Sequence, residues 1–173
     1  LLDWLAVAFR DDDSWSMKAT IRRIVLSAAY RQSAVSGMAK RVKDPDNAYY
    51  ARGPRNRLVA ELVRDNALAI SGLLSGKMFG PPVRPIQPDK FWRVIGEVDN
   101  TYYLSGGEDL HRRGIYTLWR RSAHYPSFAN FDAPNRGACT VMRQSSNTPL
   151  QALTLMNDPS YVEMARAFAA RIQ

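Results

Sequence analysis

Cysteine and histidine are nearly missing from this chain, and their scarcity removes whole classes of chemistry. The 173 residues hold one cysteine, Cys139, and two histidines, His111 and His124. One thiol closes no disulfide within the chain. So thin a supply of ligands argues against a zinc site and leaves no paired-cysteine haem attachment. No metal and no cofactor are therefore expected in this segment. Cys139 itself reads as a buried free thiol rather than a nucleophile. Long apolar runs are also wanting, and nothing approaches the ~18 residues of a membrane span. No leading signal segment, internal repeat or low-complexity tract is visible.

What the chain does have is charge of one sign. Lys and Arg number 24 against 16 Asp and Glu, a formal net charge of +8. That balance points to an anionic partner, such as an acidic glycan, nucleic acid or a membrane surface, or to a merely solvated basic surface. Nucleic acid is disfavoured, because no binding motif is present and the basic residues form no single stripe. An apolar fraction of 46% with 23% charged residues is that of a folded globular chain,. The length suits one domain over residues 1–173, able to bury roughly 70% of its unfolded surface. LLDWLAVAF opens the chain without a capping residue or initiator Met, which reads as a segment of a longer polypeptide.

The local pattern is mainly helical. Residues 1–10 read as the end of a helix, followed by an Asp11–Asp13 loop. Ser16 is placed to cap a helix over 17–33, with Met17, Ile21, Ile24, Val25 and Ala28 on one face,. DPDN at 44–47 is a turn. Residues 54–75 carry the longest helical pattern, fraying near Gly72 and Gly76. From 76 to 109 the chain is rich in Pro and Gly and reads as a surface excursion, with one short element around FWRVIGEV and a flexible turn at SGGED. IYTLWRR, 115–121, fits a strand or a helical turn, and 126–143 looks irregular. The expectation is an irregular helical bundle with long loops and at most a small β element.

On the 54–75 helix, Arg57, Glu61, Arg64 and Asp65 share a narrow sector, while apolar residues occupy most of the remaining circumference. A helix apolar on so many sides is expected to be central, and its charges must then be paired. Spacings of three and four let the strip neutralise itself. It can equally tie the helix to the irregular segment through Arg52, Arg55, Asp132 or Arg136. The catalytic alternative is a polar cleft in which Glu61, Asp65 or Asp132 acts as general acid or base.

RQSSNTPLQALTLMND, 143–158, is the most distinctive stretch, and helix punctuation explains most of it. Thr148 fits an N-cap, Pro149 the first helical position, and Gln151 the reciprocal member of a capping box. Asp158-Pro159 ends one helix near Asn157 and caps a second that runs to the end. Leu150, Leu153, Met156, Tyr161, Met164 and Phe168 are the expected buried residues. Ser145 and Ser146 lack the glycine-flanked elbow of a hydrolase nucleophile. Capping does not require Arg143 or Asn147, which leaves both as loop anchors or ligand contacts.

With these pieces assembled, the chain resembles a known family. LLDWLA (1–6), WSMKATIRRIVLSAAYRQS (15–33), DPDNAYYARGPRNRLVAELVRDNALAISGLL (44–74), RRGIYTLWRR (112–121), FDAPNR (131–136) and RQSSNTPLQALTLMNDPSYVEMA (143–165) carry the resemblance. It is to the C-terminal domain of unknown function of large secreted proteins of planctomycetes and related bacteria, which often include a cytochrome-c-type domain. The resemblance implies an exported, multidomain parent, a periplasmic or extracellular setting, and a link by association to breakdown of sulfated polysaccharides. It supplies no catalytic residue. Two readings follow. One is a non-catalytic helical module that binds an anionic polysaccharide or packs on a neighbouring domain of the same polypeptide. Arg52, Arg57, Arg64, Arg136, Arg143 and Asn147 would then be ligand contacts, and Tyr116, Trp119 and Tyr125 stacking platforms or core residues. The other is a carbohydrate-active enzyme using two of the three carboxylates across an open cleft, roughly 5–9.5 Å apart.

Overall fold

The computed structural model describes residues 1–89, 102–121 and 123–173. The chain is mainly α: the described residues form seven α-helices, and the only extended pairing among them is one isolated parallel bridge, Val83 with Thr117. Packing divides the chain into two compact units, 1–56 and 57–173.

In the first unit, α1 (Leu2–Asp11), α2 (Met17–Leu26) and α3 (Met38–Lys43) follow one another. Ser16 caps α2 as its position predicts, its hydroxyl accepting from the Ala19 N–H at 3.3 Å. The aspartate loop is an anchor. Asp13 accepts from the Thr20 hydroxyl at 2.8 Å and from Arg23 at 2.7 Å, so the start of α2 is tied to the end of α1. The helix ends at Leu26 rather than near Ser33, because Ser27 turns extended and its hydroxyl takes the Tyr30 N–H. Its apolar row stays exposed, and α2 buries no residue. The DPDN turn forms around Asp44, whose carboxylate accepts from Ala48 and Tyr49 N–H groups at 2.7 and 3.0 Å. Gly53 closes the unit, its N–H bonding Ser33 at 3.0 Å. A side chain there would bring Cβ within 2.4 Å of the Gln32 carbonyl oxygen.

In the second unit, α4 (Ala60–Ser71) packs against α5 (Pro126–Asn130), α7 (Pro159–Ile172) and a 3-10 turn at Gly114–Tyr116. It is the central element, and Gly72 ends it in the left-handed conformation (φ 80°) that the glycine predicts,. Two features differ from expectation. The helix begins at Ala60, not near Pro54, with Val59 extended ahead of it and no helix over 54–59. Its apolar circumference is only half covered: Leu62 and Ile70 remain 44% and 47% exposed. The core is instead two small clusters, Ala60 with Tyr125, Phe128 and Phe131, and Leu68 with Tyr161 and Met164. Five residues of the segment expected to be irregular, Pro126–Asn130, form α5.

Part of the Pro/Gly-rich stretch is packed. Val83 and Pro85 are among the fully buried side chains, and Val83 exchanges 2.8 Å backbone bonds with Tyr116 and Leu118. This resolves IYTLWRR as a 3-10 turn leading into a single bridge. SGGED runs into a second 3-10 turn, Gly107–His111. The element expected around FWRVIGEV lies outside the described residues.

The last two helices start and stop where their punctuation predicts: α6 spans Pro149–Asn157 with the Thr148/Gln151 capping box, and α7 begins at Pro159 with Asp158 accepting from Ser160 at 2.9 Å. Burial on α6 is the reverse of expectation. Gln151 and Thr154 are inside, whereas Leu150, Leu153 and Met156 are 54%, 52% and 72% exposed. The polar side faces inward because Asn130 of α5 donates to Thr154 at 2.9 Å and Gln151 donates back to the Asn130 carbonyl at 3.0 Å. Of the other expected core residues, Tyr161 and Met164 are buried and Phe168 is not.

Candidate functional site

The sequence-predicted acids are best followed one at a time. Asp132 sits just beyond α5 at φ 61°, a left-handed conformation that aspartate tolerates better than most side chains,. Three groups hold it: Arg57 at 2.5 Å, the Ser146 N–H at 2.8 Å and the Ser146 hydroxyl at 2.8 Å. The Ser146 N–H bond, with the Ser146 hydroxyl and Arg57 behind it, outweighs partial desolvation and draws the carboxyl below its usual range. Gln151 Nε2 donates onward to Ser146 Oγ at 3.2 Å. One aspartate thereby connects Arg57 ahead of α4, the loop before α6, and α6 itself. Ser146, whose hydroxyl is committed to this network, is a tether.

Glu61, in the first turn of α4, receives Arg143 at 2.6 Å. Burial pushes its carboxyl up, but the bond from Arg143, a backbone bond and the charges of Arg143 and Arg136 overcome that and leave it below its ordinary value. Asp65 accepts the Gly114 N–H at 2.6 Å and lies 3.7 Å from Arg113. The charged strip therefore does not neutralise itself along the helix. Arg57 precedes α4 and pairs with Asp132, and each acid of α4 takes its partner from a different segment. Sequence reasoning missed Arg113, Gly114 and the Ser146–Asp132 tether. Gly114 alone left a trace, as a glycine between RR and an aromatic run.

The candidate ligand arginines also divide. Arg52, in the first unit, donates to the carbonyls of Asp44 and Pro45 at 2.6 and 2.5 Å and braces the turn. Arg64 is 1% exposed. It donates to the Leu110 carbonyl at 2.7 Å and to Ser160 at 3.2 Å, with no carboxylate within 4 Å among the described residues. Arg112, equally buried, bonds the Phe79 and Pro81 carbonyls and lies 3.9 Å above the Tyr116 ring. These two guanidiniums are internal struts. Asp158 lies under the influence of Arg64, yet burial pushes its carboxyl above its usual value despite the opposing Ser160 and Tyr161 N–H groups and that charge. Asn147 is exposed.

Arg136 and Arg143 remain, and they come together. With Cys139 and Thr140 they line an open cleft of about 420 Å³ on the loop between α5 and α6. Arg136, itself at φ 56°, lies 4.2 Å over the Trp119 ring, and among the described residues no carboxylate is within ion-pair distance of it. Arg143 is spent partly on Glu61 but keeps more than a third of its side chain in solvent. Cys139 is exposed, not buried as expected, because the whole 135–145 loop runs over the surface. Of the candidate stacking aromatics, Tyr125 is a core residue, Tyr116 lies beneath Arg112, and Trp119 alone borders the cleft through Arg136.

A family model described as PSD1, protein of unknown function (DUF1553), matches residues 1–173. The chain belongs to this family. No curated protein and no solved structure matches it. PSD1 membership brings no catalytic residue with it, so function rests on the geometry. Among the described residues no cluster of three or more His, Cys, Asp or Glu is arranged to hold a metal, and no helix is long and apolar enough to cross a membrane.

Proposed function

We propose that the chain acts by binding, and that the Arg136–Arg143 cleft takes an acidic saccharide. One observation carries this reading. Glu61, Asp65 and Asp132 are each occupied by an arginine or a backbone N–H, while Arg136, with no carboxylate within ion-pair distance among the described residues, lines an open cleft. A general acid must hold its proton near neutral pH, which favours a raised value. Glu61 and Asp132 are displaced in the other direction. An arginine already flattened on an indole has lost little further freedom when it forks onto a sulfate or carboxylate.

The family resemblance of the sequence motifs supports the wider setting: a module of an exported, multidomain bacterial protein of planctomycete type, in the periplasm or outside the cell. There it would work beside a cytochrome-c-type domain on anionic polysaccharide. No cofactor is needed in this segment for that role.

A glycan array including sulfated polysaccharides, with heparin and DNA as charge controls, tests the reading. Selective binding to a subset of acidic glycans is expected, and Arg136→Ala should weaken it by about tenfold, the ~1.4 kcal/mol of one charge-assisted contact. Binding that follows charge alone, DNA included, would reduce the cleft to a non-specific basic surface.

A further inference from the structure

The two arginines of the cleft are not equivalent, and Glu61 is the reason. Both line the same open space. Arg143 donates to the Glu61 carboxylate at 2.6 Å, whereas Arg136 has no carboxylate within ion-pair distance among the described residues. Glu61 comes from the first turn of α4, 82 positions before Arg143. Its side chain is 16% exposed against 37% for Arg143, so the anion is supplied from within while the cation keeps a solvent face. The charge of Arg136 also helps to hold the Glu61 carboxyl below its ordinary value, after the larger effects of burial, Arg143 and a backbone bond. Asp65, one turn along α4, takes no part: the Gly114 N–H engages it and Arg113 lies 3.7 Å away. One internal carboxylate therefore answers to both cations of the cleft.

We propose that Glu61 is a built-in competitor of the cleft's ligand, holding Arg143 so that only Arg136 is open to a first anionic group. The inference rests on the anion-binding reading above and adds the residue that sets its specificity. A glycan with one sulfate needs Arg136 alone and leaves the Arg143–Glu61 pair in place. A second sulfate reaches Arg143 by displacing the carboxylate, exchanging one charge-assisted bond for another of the same kind. Sharing the guanidinium does not avoid the conflict, because the sulfate would then stand beside a carboxylate of like charge. Either way the second sulfate gains little. The native cleft thus takes sparsely sulfated glycan almost as well as densely sulfated glycan. Without the carboxylate it becomes a two-arginine site that selects paired sulfates.

Calorimetric titration of the full chain with a monosulfated and a disulfated disaccharide tests this. In the native protein the second sulfate should improve affinity by less than about threefold. In Glu61→Gln, of the same size but uncharged, it should add about tenfold, the ~1.4 kcal/mol of one charge-assisted contact. Asp46→Asn, at an exposed position in the first unit, changes the net charge equally and should keep the native ratio. A second readout needs no variant and stands even if Glu61→Gln fails to fold. By linkage, a ligand that an ionised carboxylate opposes must raise the titration of that carboxyl when bound. Saturating the native chain with the disulfated disaccharide should therefore move the Glu61 titration upward in ¹³C NMR. Equal ratios in native protein and Glu61→Gln, or a Glu61 titration that the ligand leaves unmoved, overturn the inference. If binding is then still lost in Arg136→Ala, the cleft itself stands as an anion site. Absence of binding to either disaccharide removes both readings.

Discussion

At the scale of single residues, Asp132 shows how this protein spends its charge. Its positive φ is a strained setting for a side chain, held by Arg57 and both donors of Ser146. Arg57 also has its Nε and Nη1 buried without a hydrogen-bond partner, so among the described residues the aspartate is its one charge-neutralising contact. Asp132→Asn keeps a residue that tolerates this conformation but removes the charge. It should lower stability by about 1–3 kcal/mol in urea unfolding at neutral pH. The sign of the pH effect follows from the depressed carboxyl. Asp132 adds stability above its unfolded-state value of 3.8, and that contribution is lost as pH falls through the lower folded value,. The asparagine variant should lack that part of the acid limb. Equal stability of the two proteins from neutral pH down to acid would show that the pair holds nothing. Sequence could offer Asp132 as one of four partners for the charged strip but could not single out Arg57, since the two are 75 positions apart and no local spacing links them. The same blindness hid Arg64 and Arg112. Nothing in a row of arginines says which will be enclosed by backbone carbonyls and a tyrosine ring.

At the scale of elements, the helix ends marked by a cap, a glycine or a proline were legible, whereas the end of α2, the start of α4 and the inward face of α6 were not. Ser16, Gly72, Thr148-Pro149 and Asp158-Pro159 act through neighbours one to four residues away, so their geometry is written locally. Which side of α6 turns inward is decided by Asn130 and Ser146, and apolar periodicity gave the opposite answer. This makes Gln151 more than a cap. Gln151→Ala should cost about 2–3 kcal/mol, since it removes bonds to Asn130, Ser146 and Thr148 at a buried site,. Thr148→Ala should cost about 1 kcal/mol, the usual worth of an N-cap. Chemical denaturation of both variants in the reverse order would mean that α6 is specified by its cap alone. The seat of α4 is tested at Gly114. A Cβ there would lie 3.0 Å from the Glu61 carbonyl oxygen and 3.1 Å from its Cα, so the first turn of α4 would have to shift by a few tenths of an ångström. Gly114→Ala should lower stability by about 1–3 kcal/mol and disturb the Asp65 bond to the Gly114 N–H. An unchanged melting curve would contradict that close approach.

At the scale of the whole molecule, a helical class with little β structure could be read from the sequence, because short periodic segments, capping residues and prolines all agree on it. The candidate site could be read only as a set of residue types. Glu61, Asp132, Arg136 and Arg143 were visible as charges, yet which were mutually spent and which faced solvent depended on long-range pairing. The proposed binding role rests on that distinction: Glu61, Asp65 and Asp132 are each paired, while Arg136 has no carboxylate within ion-pair distance among the described residues. Side-chain carboxyl titration by ¹³C NMR tests this most directly. Glu61 and Asp132 should both titrate below their ordinary values of 4.5 and 3.8. If either carboxyl instead keeps its proton up to or beyond its ordinary value, it is not held by its arginine, and the binding account gives way to a catalytic one.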